Sequence, residues 1–595
     1  MFEIFLFFFI SSIILVFSGR FFLKCNGTQL DKTNLSLSEQ GFYGLIFISF
    51  LTLLFNFFFK IDQNLASAFI IIPVIQIFLE FKKFNFELVK KIILHSTTIS
   101  FFSLIFISFD NVYRPDAGIY HLPFTKIIND FKIFFGVVSL NPVFGVTSIM
   151  QYSSAFFNNL LFKDVGVTIP LALLTIYLIE YFCSQFFSKD KNYSYKFFLF
   201  LVITYVFLEM NRYSEYGNDN PAHLALFYLV TLLLRNNFTL KERVNFKLFT
   251  LVALFIFLNK LFFIFILLIP TIFWLRNKLY LSRKYFPLFS IIFFSLWITK
   301  NIIVSGCFFY PVKITCNDKL SWYSNDPKFI IAAENLSQFS ELHAKNWKGI
   351  VDDKKFINYQ NNLKEKENFL GYFNWLRSDK ISKSPKYGFV KIFNNYIFII
   401  FIALFLIVKF RNGKIKKSKY NLNLNLLFFI SLASTILLLY KLPLGRYGTS
   451  YFIILLFFFF TFINNDLSFL RKTWVNKFLS FLVIFTGSIF LIKNTFKIVK
   501  NIDANFYQKP WPRIYENKED LKALNSLSNQ PVIMKYVEKN KTLKIYYVNN
   551  LNYWTSDRSK TCMYNQSPCA QTSKNFNTFK VSKTNTNHFI IKLNR

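Results

Sequence analysis

The 595 residues contain no P-loop, no Gly-rich dinucleotide fingerprint and no H-E-x-x-H, so direct use of ATP or of a nucleotide-sugar has no support in the chain. Cysteine is scarce, six in all, and no pair has the C-x-x-C spacing of a zinc or redox site. Acidic residues are few: 32 Asp and Glu stand against 69 Lys and Arg, a formal net charge of +37. A nucleic-acid binder gathers such an excess on one face, with stacking aromatics between the charges. Here the basic residues fall in short loops at alternate ends of apolar runs, as the positive-inside rule describes. No nucleic-acid partner is expected. Neither an internal repeat nor a low-complexity linker interrupts the chain. The first apolar run follows Met1-Phe2-Glu3, with no basic leader and no small-residue cleavage site after it. It reads as a spanning helix with its N-terminus outside rather than as a signal peptide.

What the chain does contain is apolar surface. Hydrophobic residues make up 53% and aromatic residues 21%, with 84 phenylalanines and a mean hydropathy of +0.35. A soluble fold of this length cannot hide so much. The joint abundance of Phe, Ile, Asn and Lys fits AT-rich coding, so the Phe count is not by itself a binding surface. A helix crossing a hydrocarbon core of about 30 Å needs about 20 apolar residues. That criterion predicts spans near 2–19, 41–59, 65–79, 92–109, 165–187, 197–209, 221–234, 247–259, 261–275, 287–304, 390–409, 425–440, 450–463 and 478–493. The loops carrying Lys82 and Lys83, Lys189 and Lys191, Arg235 and Lys241, Arg276 and Lys278, Arg411 and Lys414, and Arg471 and Lys472 then all fall on one side, which is cytoplasmic. The other side receives 110–164, 210–220, 305–389, 441–449 and a tail from 494 to 595. The expected architecture is an all-α polytopic membrane protein of about 12–14 transmembrane helices. A membrane domain, 1–493, is followed by a small α/β extracytoplasmic C-terminal domain, 494–595. The expected location is a bacterial inner membrane, with that domain on the periplasmic side.

Cysteine placement agrees with this orientation. Cys307 and Cys316 lie in the long outer segment, and Cys562 and Cys569 in the tail. An oxidising periplasm permits both pairs to be disulfides, each stabilising a short loop by roughly 2–4 kcal/mol. Cys25 and Cys183 are expected to be unpaired. In the tail, 543–548 and 589–591 read as strands and 517–527 as helical, a unit suited to capping or to docking an acceptor.

The first outer loop reads Asp110-Asn111-Val112-Tyr113-Arg114-Pro115-Asp116-Ala117-Gly118-Ile119-Tyr120-His121-Leu122-Pro123. Two carboxylates, an arginine, two tyrosines and a histidine meet there at a membrane surface. Next comes an amphipathic stretch, with Phe124, Ile127, Ile128, Phe131 and Phe134 on one face and Lys126, Asn129, Asp130 and Lys132 on the other. The pattern predicts a helix lying in the interface, apolar side down. A second acidic loop carries Arg212, Glu215, Asp219 and Asn220 before Pro221, where Asp219 or Asn220 also suits a helix N-cap. His223, a turn further on, reads as a packed interior histidine. The turn Leu444-Gly445-Arg446-Tyr447-Gly448 faces the same side. Arg446 there reads equally as a bidentate clamp on a lipid phosphate or as an arginine snorkelling at a helix end. Lys260 and Lys300 are expected to snorkel, because a charge at the bilayer centre costs about 2.5–3.5 kcal/mol on insertion scales.

An apolar first half, an acidic residue in the first large outer loop, a helix after it, many further spans and a small outer C-terminal domain resemble the GT-C glycosyltransferase superfamily. The segments Asp116-Ala117-Gly118-Ile119-Tyr120-His121-Leu122-Pro123-Phe124, Tyr216-Gly217-Asn218-Asp219-Asn220-Pro221-Ala222-His223 and Ser305-Gly306-Cys307-Phe308-Phe309-Tyr310-Pro311 resemble an uncharacterised family of bacterial membrane proteins that is itself similar to GT-C enzymes. The resemblance implies transfer of a sugar from a polyprenyl-phosphate donor, with the loop carboxylate as base or metal ligand; no cofactor is assigned, and a divalent cation, Mg or Mn, is the candidate. The usual paired acids are absent, since Asp110 and Asp116 are six apart.

Glycosyl transfer needs an acceptor hydroxyl deprotonated as it attacks and a phosphate leaving group stabilised as it departs. Asp116 is the candidate base, His121 its alternative or partner, and Asp110 a candidate to share a cation. The plainer reading is that Asp110 ends a helix and Asp116 caps a turn. Arg446, Tyr120, Arg114, Asp219 and Arg212 are the candidate substrate-binding residues. The expected partners are the lipid bilayer, a polyprenyl-phosphate-linked sugar and an envelope glycan or lipid acceptor. A polysaccharide polymerase or ligase is the nearest enzymatic alternative. A transporter or flippase is the alternative of another class, and it predicts repeated halves and broken helices.

Overall fold

The computed structural model describes residues 2–500 apart from 29–34, 82–85, 107–119, 189–191, 209–218, 236–242, 282–285, 324–332, 345–421, 443–444 and 464–472, together with six short strands between 532 and 593. In chain order the helices are α1 (Phe2–Cys25), α2 (Leu37–Asn56), α3 (Gln63–Ala68), α4 (Ile71–Phe81), α5 (Phe86–Phe106), α6 (Leu122–Asp130), α7 (Met150–Phe157), α8 (Ile169–Phe187), α9 (Tyr193–Leu208), α10 (Asp219–Arg235), α11 (Arg243–Asn259), α12 (Leu268–Arg276), α13 (Leu288–Ser305), α14 (Ala333–Ala344), α15 (Leu422–Lys441), α16 (Gly445–Ile463) and α17 (Thr473–Lys500). Among the described residues, eight helical segments are long and apolar enough to cross a membrane, and four shorter apolar helices accompany them. The chain is a multi-pass membrane protein.

Local signals set the helix ends. Ser36 and Glu39 form a capping box that opens α2, satisfying backbone donors that a helix start leaves over. The Asp62 side chain accepts from Leu65 N–H and opens α3. Gly306, at φ 77°, closes α13 in the left-handed conformation that a side chain disfavours. Helices α2 and α8 sit largely inside the bundle, whereas α4, α5 and α17 turn residues such as Phe78, Leu94 and Phe496 outward. That outward face suits lipid. Between α1 and α2 the backbones nearly touch. A Cβ on Gly19 would lie 1.8 Å from Gln40 O, and one on Gly44 1.9 Å from Leu15 O. Small residues allow such approach where no hydrophobic force drives helices together in lipid.

Polar contacts sort by bundle end. At one end Arg20 donates to Gln40 Oε1 (3.0 Å) and Glu80 Oε1 (3.0 Å), and Lys24 and Gln76 donate to the same carboxylate. Nearby Tyr228 Oη donates to buried Glu39 (2.9 Å). The C-terminal ends of α1 and α4 and the start of α2 meet there. The opposite end, called outer below, gathers Asn56, Ile61, Ile128 and Ile133, joined by backbone hydrogen bonds of 2.9–3.0 Å.

Several expectations change in detail. The span expected at 65–79 is two helices, α3 and α4, and that expected at 261–275 begins as a 3-10 helix, Leu261–Leu267. The last span runs on to Lys500, past the boundary expected at 493. The span expected at 390–409 lies outside the described residues. The interfacial helix is corrected: α6 ends at Asp130, Phe131 is extended, and Phe124, Ile127 and Ile128 are buried in protein instead of lying on lipid. Only its Lys126–Asp130 face (2.9 Å) is partly open. A helix of nine residues, with α7 packed against it, buries its apolar stripe without needing a membrane surface.

Cys307 and Cys316 are bonded, S–S 2.04 Å, and Cys25 and Cys183 are free, all as expected. Cys562 lies outside the described residues, and so does the pairing of Cys569. In the tail, β1 (Val532–Lys535), β2 (Thr542–Val548), β3 (Leu551–Ser556) and β4 (Cys569–Ala570) form one sheet in that order, and β5 (Phe579–Lys583) pairs antiparallel with β6 (Phe589–Leu593). The stretches expected as strands fall in β2 and β6; the helix expected at 517–527 lies outside the described residues. Ile590 of β6 bridges Phe135, just beyond α6.

Gly19→Ala or Gly44→Ala is expected to lower stability by about 2 kcal/mol or more, since the added methyl meets backbone that cannot yield. Thermal unfolding of the purified protein in detergent measures this, and an unchanged midpoint would refute the close packing of α1 on α2.

Candidate functional site

The outer end carries a continuous chain of polar side chains. His121, 3% exposed, stands at the start of α6 with the Tyr120 ring 3.9 Å away. Gln151 of α7 reaches it at 3.2 Å. The Gln151 amide has one orientation, because its Oε1 accepts from the Ser148 backbone N–H (2.9 Å), a group that can only donate. Its Nε2 therefore faces His121 and donates to Nδ1, which leaves the ring proton on Nε2. Ser148 Oγ in turn accepts from Met150 N–H (3.1 Å) and donates to Asn259 Oδ1 (2.7 Å). The Asn259 amide is itself fixed by donation to Phe255 O (2.8 Å). Gln151, Ser148 and Asn259 each both donate and accept, a linkage that makes a buried polar network rigid.

Asn259 ends α11, and the next residue is the pivot. Lys260 is extended (φ −155°, ψ 120°) between α11 and the 3-10 helix. Its ammonium pairs with Asp219 at the start of α10 and lies over the Tyr447 ring, 3.7 Å from the centroid. Tyr447 follows Arg446 at the start of α16, so three separate outer segments meet on one lysine. One turn further in, His223 Nδ1 and Ser450 Oγ lie 2.7 Å apart, and Phe263 flanks the imidazole at 5.6 Å. His223 is thus the packed histidine expected.

A second lysine lies beside this chain. Lys300 of α13 is fully buried, donates to Thr147 Oγ1 at 2.8 Å and sits 3.7 Å over the Trp297 ring. Among the described residues it meets no carboxylate. Thr147 is the neighbour of Ser148, so both lysines are tied to one loop. The snorkelling expected of Lys260 and Lys300 is corrected. Both turn inward, because a carboxylate, a hydroxyl and two aromatic faces there replace the water that snorkelling would seek.

The structure therefore joins His121, Tyr120, Asp219 and the segment holding Arg446. Asp110, Arg114, Asp116 and Arg212 lie outside the described residues, and so does the Arg446 side chain. Gln151, Ser148, Asn259 and Thr147 escaped the sequence reading, since uncharged residues at helix ends leave no periodic signal. Lys300 had one: a charge within an apolar span is a functional candidate by default. Among the described residues no three His, Cys, Asp or Glu side chains are grouped to hold a metal. Asp219, the one carboxylate in the chain of contacts, is already committed to Lys260, and a carboxylate so paired is a poor start for a magnesium or manganese site.

Comparison with protein families places this centre within a family. The chain belongs to the family described as a domain of unknown function, DUF8201. Its model matches residues 1–453, a span that contains His121, Gln151, Asp219, Lys260, Lys300 and Ser450 and leaves α17 and the tail strands outside. No curated protein and no solved structure matches the chain.

Asp219→Ala and Lys260→Ala are each expected to cost about 3 kcal/mol, because each strands a mostly buried charge. The double variant is expected to cost less than the sum. Unfolding of the four proteins in one detergent checks this, and strict additivity would mean that the pair is not coupled.

Proposed function

We propose that the outer polar centre is the reaction site of a membrane glycosyltransferase of GT-C type, moving a sugar from a polyprenyl-phosphate donor to an envelope glycan or lipid at the periplasmic face of a bacterial inner membrane. The observation that carries this reading is Lys300, buried and without a carboxylate among the described residues, bonded to Thr147, whose neighbour Ser148 begins the line of contacts to Gln151 and His121. A phosphate leaving group needs hydrogen-bond donors where its own charge grows. Arg446, at the start of α16, is a further candidate for that role.

In the proposed reaction the acceptor oxygen attacks the anomeric carbon, the bond from that carbon to the donor phosphate breaks, and its electron pair leaves with the phosphate. Asp116 takes the acceptor proton. His121, protonated on Nε2, is a hydrogen-bond donor in this arrangement, so it positions an oxygen and leaves the role of base to Asp116. Tyr120, Arg114 and Arg212 are candidate contacts to the sugar or phosphate, and Asp110 remains a candidate second acid. The tail is read as a small α/β cap that docks the acceptor.

A transporter draws support from one feature, the break between α11 and the following 3-10 helix at Lys260, since broken helices line many transport sites. One experiment separates the readings. Polyprenyl-linked sugars and envelope glycans are measured by mass spectrometry in a deletion strain complemented with wild type, Asp116→Asn or Lys300→Met. The transferase reading expects a lipid-linked sugar to accumulate, a glycan to lose that sugar, and only wild type to restore both. Unchanged pools in the deletion strain would sink it; full rescue by both variants would remove Asp116 and Lys300 from the chemistry.

A further inference from the structure

A separate cleft of about 690 Å³ opens at the outer end, between the turn after α2 and the segment after α6. Its walls are stitched together by main chain and one amide. Ile61 N–H donates to Ile128 O (3.0 Å), Ile133 N–H to Asn56 O (2.9 Å) and Asn56 Nδ2 to Phe131 O (3.0 Å). The rim alternates in sign, with Lys60 and Lys132 against Asp62 and Asp130. Lys60 lies 3.2 Å from Asp62, and Lys126 2.9 Å from Asp130. Burial acts to raise the Asp62 pKa, but hydrogen bonds from Leu65 N–H and Lys60 outweigh it and hold the group below the usual carboxylate range. Asp62 is therefore ionised at neutral pH. Phe58 and Phe59, 64% and 56% exposed, flank the rim directly after the last turn of α2. Exposed apolar rings directly after a span suit contact with acyl chains.

The four charged lining residues, Lys60, Lys132, Asp62 and Asp130, sum to zero, with Lys126 paired to Asp130 from outside the lining, and the two signs facing one cleft select the ligand. A lone anion drawn to Lys60 and Lys132 would face Asp62 and Asp130 as well. A group carrying a phosphate beside a primary ammonium satisfies both signs through charge-assisted hydrogen bonds, and acyl chains attached to it continue along Phe58 and Phe59. We infer that this cleft binds the headgroup of a zwitterionic aminophospholipid, its phosphate towards Lys60 and Lys132 and its ammonium towards Asp62 and Asp130. The cleft adjoins the last residue of α6 and His121 precedes the first, so nine residues and about 13 Å of helix separate it from the polar centre. The inference needs only the membrane topology and stands apart from the transferase reading.

The full-length protein, purified in detergent and incubated with equal amounts of phosphatidylethanolamine and phosphatidylglycerol, is examined by native mass spectrometry. Wild type is expected to retain phosphatidylethanolamine in preference, by about fivefold or more. Lys60→Glu combined with Lys132→Glu should cut that retention about tenfold, the size of one lost charge-assisted contact, while Lys319→Glu, away from the cleft, leaves it intact. Should the double variant fail to fold, as its melting curve would reveal, Asp130→Asn replaces it with the same expected loss of preference. Equal or greater retention of phosphatidylglycerol by wild type overturns the inference, and so does undiminished retention by a folded cleft variant.

Discussion

The outer half of the molecule depends on one ion pair. Lys260 interrupts an apolar hairpin and points its ammonium at Asp219 and the Tyr447 ring, so a single side chain ties α11, α10 and α16 together. Neither charge is tolerable alone at that depth, since removing one partner leaves the other uncompensated. Once the pair is made, its neighbours are placed. Asn259 is held next to Lys260, Ser148 on Asn259, Gln151 on the Ser148 backbone and His121 on Gln151. Orientation passes along that line to the tautomer of a histidine several contacts away.

The two bundle ends use polar groups differently. At the inner end, Arg20, Lys24, Gln40 and Gln76 converge on Glu80 and on one another, an arrangement that closes on itself and fixes α1, α2 and α4. At the outer end Lys300 rests on a hydroxyl and a ring, with no carboxylate against it among the described residues. A closed cluster is structural. An unbalanced one costs stability, and the proposed phosphate supplies the counter-charge that gives the cost a purpose.

Much of the fold was legible in the chain. Apolar length and loop charge located the spans, and the nine-residue spacing of Cys307 and Cys316 marked their disulfide. The motifs around His121 and Asp219 and the Arg446 turn were visible as polar islands, and the structure draws His121, Asp219 and Tyr447 together. What the chain hid was the connection. Gln151, Ser148 and Asn259 are ordinary polar residues whose value comes from meeting across more than 100 positions, as Ser148 and Asn259 do. Lys260 and Lys300 were misread because insertion energies describe an isolated helix in lipid, whereas both lysines are solvated by protein. The amphipathic stretch at α6 misled in the same way: period fixes which face is apolar, not whether lipid or α7 covers it.

The central claim is that this outer centre performs glycosyl transfer. Its most direct test is purified protein reconstituted in proteoliposomes with a labelled polyprenyl-phosphate sugar and an acceptor extract, following release of free polyprenyl phosphate. The account predicts acceptor-dependent release by wild type and its loss in Asp116→Asn, with folding retained. Bound donor that is carried across the bilayer unchanged, with no polyprenyl phosphate released, would contradict it.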